Sequence, residues 1–284
     1  MAKRISPLID AAELLVLRSD SDLILVDANG APDARATYDD HHLEGAVFVD
    51  MNRQLADIGP DASKGGRHPL PSAAKFAASL TDLGISPNSR VVAYDDKNGS
   101  NAAARLWWML KAIGHKNVQV LDGGYQSAVA AGFPVSKETP LPRKVAPYPA
   151  SEFRLPLAGM SEVDDARQDP GSVVVDVRDP DRFNGVKEPI DLIAGHIPGA
   201  VNIPFASNLN SNGKFLSPEE LRTKYRQAFG EIGASHVIVH CGSGVTACHT
   251  LLALDHAGMD IPKLYVGSWS EWSRNDNPMD PDRK

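Results

Sequence analysis

Four segments in the first half of the chain reappear in the same order in the second half, about 150 residues later. LILVDANG is matched by VVVDVRD, HHLEGAVFV by GHIPGAVNI, RVVAYDDKNGSNAAARLWWML by HVIVHCGSGVTACHTLLAL, and VLDGGYQSAVAAGFPV by YVGSWSEWSRNDNPM. Because the spacing drifts by only a few residues, as loop insertions would cause, we infer two copies of one domain. We predict domains at residues 1–137 and 160–284, joined by a proline-rich linker at 138–159 that runs extended over the surface.

Each copy alternates short apolar runs with segments of helical periodicity. LILVD, RVVAYDD and VQVLDGG in the first copy, and VVVDV, HVIVHC and KLYVG in the second, predict buried strands. SAAKFAASLTDLGI and SPEELRTKYRQAFGEIG predict amphipathic helices that end at glycine, the second with Ser217 as N-cap. Strands that alternate with helices indicate the α/β class, here two tandem domains that each contain a parallel sheet flanked by helices. Such sheets bind ligands at the carboxyl ends of their strands.

Charge and composition argue against several classes of function. The net charge is -7 and no basic cluster stands out, so we expect no nucleic-acid partner. No uncharged run reaches the ~18 residues of a membrane span, and the N-terminus lacks the apolar core of an export signal. The two cysteines, if they lie on one helix, are ~10 Å apart, beyond the ~7 Å that a disulfide tolerates. We therefore predict a cytoplasmic protein without membrane contact.

Cys241 stands where the apolar run VIVH ends and a helical segment is about to begin. Gly242 and Gly244 allow backbone angles that let successive N–H groups converge, and the helix N-terminus contributes further unpaired N–H groups. These groups favour a negatively charged sulfur, which is the nucleophilic form of cysteine. They would also hold a persulfide, Cys–S–S⁻, once the cysteine has accepted a sulfur atom. We call the backbone N–H groups of residues 242–246 the anion cradle.

Structural interpretations of the same residues compete with this one. A free cysteine is commonly a buried apolar residue, and for Cys248, which falls inside the predicted helix, we favour that interpretation. For Cys241 the position at a strand end favours function. A zinc site made of His240, Cys241, Cys248 and His249 would lack a C-x2-C element, so we predict no metal.

The first copy has Asp95 at the position equivalent to Cys241, at the start of DDKNGSN. An aspartate cannot attack a sulfur donor by this route, and its charge would repel an anion. Lys97 and Asn98 are not expected to form a cradle like that of the glycine loop. We therefore predict that the first copy carries no chemistry and serves as a structural wall of the active cleft.

The loop CGSGVTAC, the segments AGHIPGAVNIPF and VDVRDPDRF, and the terminal GSWSEW resemble the two-domain rhodanese superfamily over nearly the whole chain. The neutral loop CGSGVT is most similar to that of the 3-mercaptopyruvate sulfurtransferases. The resemblance implies two rhodanese-like domains and an enzyme without a cofactor that carries sulfur on a cysteine. It implies Cys241 as the nucleophile, with Gly242, Gly244, Val245 and Thr246 binding the substrate through their amides.

The resemblance also implies roles for three side chains. Arg182, in DRF, matches the arginine that holds the donor's carboxylate, a task that suits the forked donors of a guanidinium. Ser243, and His68 in GRHPLP, match positions proposed to relay protons. The pyruvate enolate that leaves after sulfur transfer needs a proton at carbon, so a hydroxyl and an imidazole are suitable there. Without the resemblance, each of the three would be read as an ordinary loop or surface residue.

Two positions depart from the pattern of mercaptopyruvate enzymes. Asn52 stands where the relay usually ends in a carboxylate, and an amide orients an imidazole without stabilising its charged form. Ile190 stands in EPI where such enzymes tend to carry a second arginine, so one clamp on the carboxylate is missing. Both departures bear on the choice of donor.

The neutral loop favours 3-mercaptopyruvate as the donor, because thiosulfate enzymes place basic residues inside the loop to meet the leaving sulfite. A thiosulfate sulfurtransferase with the same persulfide mechanism is the alternative, and a non-catalytic sulfur-carrier module is a further one. A phosphatase of this fold would need a longer loop and an arginine at position 247, which is alanine. The expected partners are a small-molecule sulfur donor and a thiol acceptor, such as thioredoxin or a low-molecular-weight thiol, or cyanide.

Overall fold

The computed structural model describes residues 5–100 and 102–280, which divide into two compact units. The first unit contains the described chain up to Asp57, Pro71–Arg154 and Ser211–Lys214, and the second contains Ile58–Leu70, Leu155–Asn210 and the described chain from Phe215 onward. Residues 58–70 thus pack with the second unit, although the repeats assign them to the first copy. We retain residues 1–137 and 160–284 as the proposed domains, with 138–159 as the linker.

Apolar and β-branched runs form the strands of the first unit. They are β1 (Leu8–Ile9), β2 (Leu23–Asn29), β3 (His42–Leu43), β4 (Val47–Asp50), β5 (Arg90–Tyr94), β6 (Val118–Leu121) and β7 (Val135–Ser136). A parallel sheet has the order β1-β6-β5-β2-β4, and β3 pairs separately with β7. Strands β2, β5 and β6 lie inside the sheet and are buried along nearly their whole length, which is why their sequences are mostly apolar.

Helices flank this sheet. They are α1 (Ala11–Leu17), α2 (Ala34–Asp40), α3 (Met51–Gln54), α4 (Ala73–Asp82), α5 (Ala103–Ala112) and α6 (Gly124–Ala130). Helix α4 begins after Ser72, whose hydroxyl accepts a hydrogen bond from the N–H of Lys75. Helix α5 is buried along nearly all of its length, including Trp107 and Trp108.

The second unit repeats the same architecture. Its strands are β8 (Leu157–Ala158), β9 (Val173–Asp176), β10 (Val201–Asn202), β11 (Val237–His240) and β12 (Lys263–Tyr265). They form a parallel sheet in the order β8-β12-β11-β9-β10, which corresponds strand for strand to β1-β6-β5-β2-β4. The prediction of two α/β domains, each with a parallel sheet flanked by helices, is confirmed.

The helices of the second unit are α7 (Met160–Ala166), α8 (Pro180–Phe183), α9 (Pro218–Phe229), α10 (Ala247–His256) and α11 (Ser268–Trp272), with 3-10 turns at Phe205–Asn208 and Ala234–His236. Ser217 caps α9 as predicted, and its partner Glu220 completes a capping box. No helix in the described ranges is long and apolar enough to cross a membrane.

The predicted linker is irregular and mostly exposed up to its last residues. There the chain forms β8, the edge strand of the second sheet, which pairs with β12. Leu157 is exposed and Ala158 is buried, and this alternation over only two residues is too short to be recognised as a strand in the sequence. The second sheet therefore begins inside the segment predicted as a linker.

Asp27 in β2 and Asp176 in β9 occupy equivalent positions, but their carboxyl groups have opposite properties. Burial raises the pKa of Asp27 to about 7, against an opposing hydrogen bond with Tyr94, and neighbouring carboxylates contribute to the rise. At Asp176 burial also opposes ionisation, but interactions with His240 and Arg178, including hydrogen bonds from Arg178, hold the pKa below its usual value. The two copies thus share a position and differ in its electrostatics.

We expect Asp27 to make the first unit less stable as the pH rises from about 4 to about 7. Its folded-state pKa lies above the unfolded value, so its contribution is fully present below about pH 4 and is lost as the pH rises through about 7. Asp27→Asn cannot ionise and should remove this pH dependence, which amounts to on the order of 2–4 kcal/mol. Urea unfolding of the parent and of Asp27→Asn at about pH 5 and about pH 8 measures the difference. If the free energy of unfolding falls equally in the two proteins between these pH values, the prediction is contradicted.

Candidate active site

Cys241 begins the loop that connects β11 to α10. Strand β11 ends at His240 and α10 begins at Ala247, so the loop contains Cys241 and residues 242–246. Cys241 is a free thiol with 1% of its surface exposed. At Gly244 the backbone has a φ of +72°, and a Cβ there would lie 2.6 Å from the carbonyl oxygen of Val266. Only glycine fits this turn, which explains why a small residue follows the strand so closely.

Helix α11 fixes the backbone of the cysteine loop. The N–H of Trp269 donates to the carbonyl oxygen of Cys241 at 3.0 Å, and the N–H of Ser270 donates to that of Gly242 at 2.9 Å. The hydroxyl of Ser268 accepts a hydrogen bond from the N–H of Cys241 at 3.2 Å. The terminal motif GSWSEW therefore acts by holding the loop in which the cysteine lies.

Several N–H groups of the anion cradle have no acceptor among the described residues. In the described part of the chain, the backbone N–H groups of Gly242, Ser243, Val245 and Thr246 make no hydrogen bond. Because a backbone N–H that is shielded from water is costly without an acceptor, a loop with several such donors is suited to bind an anion. The assignment of this loop as the substrate-binding loop stays a prediction.

His68 lies beside the same loop. Its Nδ1 is 2.8 Å from the Oγ of Ser243, within hydrogen-bonding distance. The segment that carries His68 is packed tightly, because a Cβ on Gly66 would lie 2.3 Å from the carbonyl oxygen of Gly267. The structure thus brings two predicted residues together, and their role as a proton relay stays a prediction.

Arg182, in α8, makes ion pairs with two carboxylates. Its Nη2 lies 2.8 Å from Oε1 of Glu188 and 3.2 Å from Oδ2 of Asp191, and both carboxylate side chains are buried. A Cβ on Gly242 would lie 3.3 Å from the same nitrogen. The predicted carboxylate-binding arginine is therefore next to the cysteine loop.

Arg67, Asp191 and Arg274 join this cluster and were not among the predicted site residues. Asp191 is 2.9 Å from Nε of Arg67 and 3.2 Å from Nη1 of Arg274. For Arg67 the sequence did hold a signal, because it directly precedes His68 in GRHPLP. For Asp191 and Arg274 no motif marked the position.

Arg178 supports the cluster from the end of β9. Its Nη2 lies 2.6 Å from Oδ2 of Asp176 and donates to the carbonyl oxygen of Gly195 at 2.7 Å. Its Nη1 lies 3.4 Å from Oε2 of Glu188, and its guanidinium lies over the ring of Trp269, 4.9 Å from the centroid. This buried group ties the segment after α8 to both the sheet and α11, which orients the arginine cluster.

Neither position that departs from the family pattern adds charge to the site. Asn52 is an exposed residue of α3, and its N–H donates to Oδ1 of Asp50 at 2.8 Å. Ile190 has 54% of its surface exposed, and its N–H donates to Oε1 of Glu188 at 3.0 Å.

Comparison with known proteins identifies the family. The family model of the rhodanese-like domain matches residues 10–131 and 160–275, which correspond to the two repeats. The protein belongs to the rhodanese superfamily. The resemblance seen in the sequence is thereby confirmed.

Individual relatives of this rhodanese-superfamily protein carry two different names. It is 39% identical over 274 residues to a Pseudomonas aeruginosa protein named "Probable 3-mercaptopyruvate sulfurtransferase", covering 93% of this chain and 94% of the relative. It is 36% identical over 270 residues to the thiosulfate sulfurtransferase of Gallus gallus, covering 92% and 90%. The structure of 3-mercaptopyruvate sulfurtransferase from Leishmania major matches with a TM-score of 0.81 and 30% identity, covering 96% of this chain and 76% of that one.

The loop of the first rhodanese-like domain differs from the sequence-based expectation. The N–H groups of Lys97 and Gly99 donate to Oδ1 of Asp95 at 2.9 and 2.8 Å, and those of Ala102 and Ala103 donate to Oδ2, both at 3.1 Å. The sequence analysis expected no cradle like that of the glycine loop, but it did not anticipate that backbone N–H groups of this loop converge on Asp95 itself. The amides converge as an anion-binding loop would, and the carboxylate of Asp95 is the anion that they bind.

Cys248 lies inside α10 and is fully buried, in agreement with the core interpretation. Its Sγ lies 3.4 Å from the carbonyl oxygen of Gly244, so its thiol can donate to the cysteine loop. Cys248 therefore contacts the site from the core side of the helix, which a purely apolar interpretation did not anticipate.

Proposed function

We propose that this protein is a sulfurtransferase that moves a sulfur atom from 3-mercaptopyruvate, through a persulfide on Cys241, to a thiol or cyanide acceptor. The observation that carries the proposal is the loop itself. A free cysteine begins a strand–loop–helix turn in which four backbone N–H groups have no acceptor among the described residues. The names of the relatives support the same reaction class.

The reaction takes place in two transfers. The thiolate of Cys241 attacks the sulfur of 3-mercaptopyruvate, the S–S bond forms, and the donor's C–S bond breaks with its electron pair moving into the enolate of pyruvate. The enolate then takes a proton at carbon, for which the hydrogen-bonded pair of Ser243 and His68 is suited. In the second transfer the acceptor attacks the outer sulfur, and the thiolate of Cys241 leaves and is regenerated.

One group of the protein binds the donor and another stabilises the persulfide. The guanidinium of Arg182 holds the donor's carboxylate, and the anion cradle stabilises the negative charge of the persulfide. Each bond change takes place on the donor, the acceptor or Cys241, so the proposal needs no metal or cofactor. Thioredoxin, a low-molecular-weight thiol and cyanide are the acceptors that this chemistry accommodates, and two free thiols are consistent with a cytoplasmic location.

Thiosulfate is the second candidate donor, and one observation favours it. Positive charge lies outside the neutral loop, because the guanidinium groups of Arg67 and Arg182 are both beside Gly242. These groups could receive a leaving sulfite, a function that the sequence analysis assigned to basic residues inside the loop.

Donor competition tests the proposal. With cyanide as the common acceptor, we expect kcat/KM for 3-mercaptopyruvate to exceed that for thiosulfate by at least about tenfold. The reason is that 3-mercaptopyruvate carries a single carboxylate, which Arg182 can bind, and leaves as an enolate that can be protonated at the site. A tenfold preference for thiosulfate would make the protein a thiosulfate sulfurtransferase. Alkylation of Cys241 without turnover of either donor would instead indicate a sulfur-carrier module.

A further inference from the structure

The guanidinium of Arg67 lies beside the cysteine loop together with that of Arg182. We infer that Arg67 is a second donor-binding residue, which grips the anionic end of the sulfur donor jointly with Arg182 and so determines the preference for anionic donors. The inference rests on the proposed function, because it assigns a ligand to the donor site of that reaction.

The guanidinium of Arg67 lies close to Gly242 of the cysteine loop. A Cβ on Gly242 would lie 3.0 Å from Nη2 of Arg67 and 3.3 Å from Nη2 of Arg182. The two guanidinium groups can approach the loop this closely because residue 242 has no side chain. They therefore converge one residue away from the thiol-bearing residue, Cys241.

The guanidinium groups of Arg67 and Arg182 both retain hydrogen-bond donors that the protein does not use within the described residues. Arg67 donates from Nε to Oδ1 of Asp191 at 2.9 Å and from Nη2 to Oδ2 at 3.4 Å. Within the described residues, Nη1 of Arg67 and Nη1 of Arg182 donate to no acceptor. These two NH2 groups, one from each arginine, can together donate to the oxygens of a carboxylate or sulfonate.

The arginine cluster contains more positive than negative groups. Asp191 is buried and pairs with three arginines, and its two oxygens cannot saturate their donors. Four guanidinium groups lie among only three buried carboxylates in this ion-pair network: Arg67, Arg178, Arg182 and Arg274 against Asp176, Glu188 and Asp191. This ion-pair network therefore carries a net charge of +1, which favours an anionic ligand at the site.

Helix α11 holds the backbone of the segment that carries Arg67. The N–H of Arg67 donates to Oγ of Ser270 at 3.0 Å, and the N–H of Gly65 donates to Oε1 of Glu271 at 2.7 Å. Both acceptors lie on α11, the helix that also holds the cysteine loop. The backbone of Arg67 is therefore held by the helix that also holds the cysteine loop, and the ion pair with Asp191 restrains the side chain, so little side-chain entropy is lost on binding.

Arg274 provides a matched control, because it pairs with the same carboxylate in a different way. Its Nη1 donates to Oδ1 of Asp191 at 3.2 Å and to the carbonyl oxygen of Ser270 at 2.8 Å. Around the Cβ position of Gly242 the three nearest atoms belong to Arg67, Arg182 and Asp191, and none of them belongs to Arg274. Loss of Arg274 tests the effect of weakening the Asp191 cluster alone.

The kinetic test compares Arg67→Met with Arg274→Met. We expect Arg67→Met to lower kcat/KM for 3-mercaptopyruvate by about ten- to a hundredfold, mainly through KM, since one charge-assisted contact with the donor is lost. Arg274→Met should cost clearly less, and Arg67→Lys should restore part of the loss because it retains the charge. Equal losses in the two Met variants, carried by kcat, would overturn the inference, because they would indicate only a disturbed cluster.

Alkylation of Cys241 tests the inference without any sulfur donor. The parent should react with iodoacetate, an anion, faster relative to neutral iodoacetamide than Arg67→Met does, and the iodoacetamide rate should be nearly the same in both. If Arg67→Met slows the two reagents equally, Arg67 does not bind anions and the inference fails. If 3-mercaptopyruvate proves not to be a substrate but the iodoacetate effect persists, the proposed donor is wrong and Arg67 remains the anion-binding residue.

Discussion

Cys241→Ser is expected to abolish sulfur transfer, with a fall in kcat of at least about a thousandfold. A serine hydroxyl at this position cannot form a persulfide, and the anion cradle has no chemistry of its own to substitute for the lost nucleophile. Two measurements check the result. Steady-state turnover with 3-mercaptopyruvate and cyanide should vanish, and intact-protein mass spectrometry after donor treatment should no longer show the added mass of one sulfur atom.

Cys248→Ser is the matched control, because it removes the other thiol from the same loop–helix unit. The serine hydroxyl can donate to the carbonyl oxygen of Gly244 as the thiol does, so the loop should keep its shape. We expect turnover within a few-fold of the parent and a persulfide of unchanged mass. Equal activity of Cys241→Ser and Cys248→Ser would contradict the assignment of Cys241 as the nucleophile.

The repeats in the sequence were sufficient to predict the architecture, because each matched apolar run became an equivalent strand. RVVAY and VIVH, for example, became β5 and β11, the middle strands of two sheets with the same order. A buried parallel strand must be apolar on both faces, so its sequence identifies it without knowledge of its neighbours. Short edge strands such as β8 lack this signature, which is why no strand was predicted at Leu157–Ala158.

The site was predictable only where a residue acts through its own motif. Cys241, Ser243 and Arg182 each lie in a recognisable segment, whereas Asp191 accepts from Arg67 and Arg274, which are distant from it in the chain. Arg67 is 124 positions from Asp191 in the sequence. Such a pair depends on how residues 58–70 pack against α11, and no local pattern encodes that packing.

The cradle around Asp95 was missed for a different reason. Its ligands are backbone N–H groups, which every residue except proline possesses, so residue types do not reveal where they converge. Asn98 takes a φ of 56° and Gly99 a φ of 83°, and these left-handed residues turn the loop around the carboxylate. The first copy therefore also has a loop whose N–H groups converge, and its own Asp95 side chain accepts from them.

Asp95→Ala should destabilise the first unit by about 3–5 kcal/mol, because it leaves the N–H groups of Lys97, Gly99, Ala102 and Ala103 without their buried acceptor. The loss should depend on pH in a definite direction. Burial raises the pKa of Asp95, so the parent gains most stability from this group below its unfolded pKa and loses that gain as the pH rises through the folded pKa. The destabilisation should accordingly be larger in acid than at neutral pH.

Asp95→Asn separates the hydrogen bonds from the charge. Its amide oxygen can accept from one pair of N–H groups, but its NH2 group faces the other pair, which also donates. We therefore expect a loss of stability that is smaller than that of Asp95→Ala and that does not change between acid and neutral pH. Urea unfolding followed across the acid to neutral range measures both variants. Turnover per folded molecule should stay within a few-fold of the parent, because the nucleophile and the residues that contact its loop belong to the second unit.

If Asp95→Ala is as stable as the parent and equally active, the carboxylate does not hold the loop. If Asp95→Ala is as stable as the parent but its kcat falls strongly, the first domain has a direct part in the chemistry.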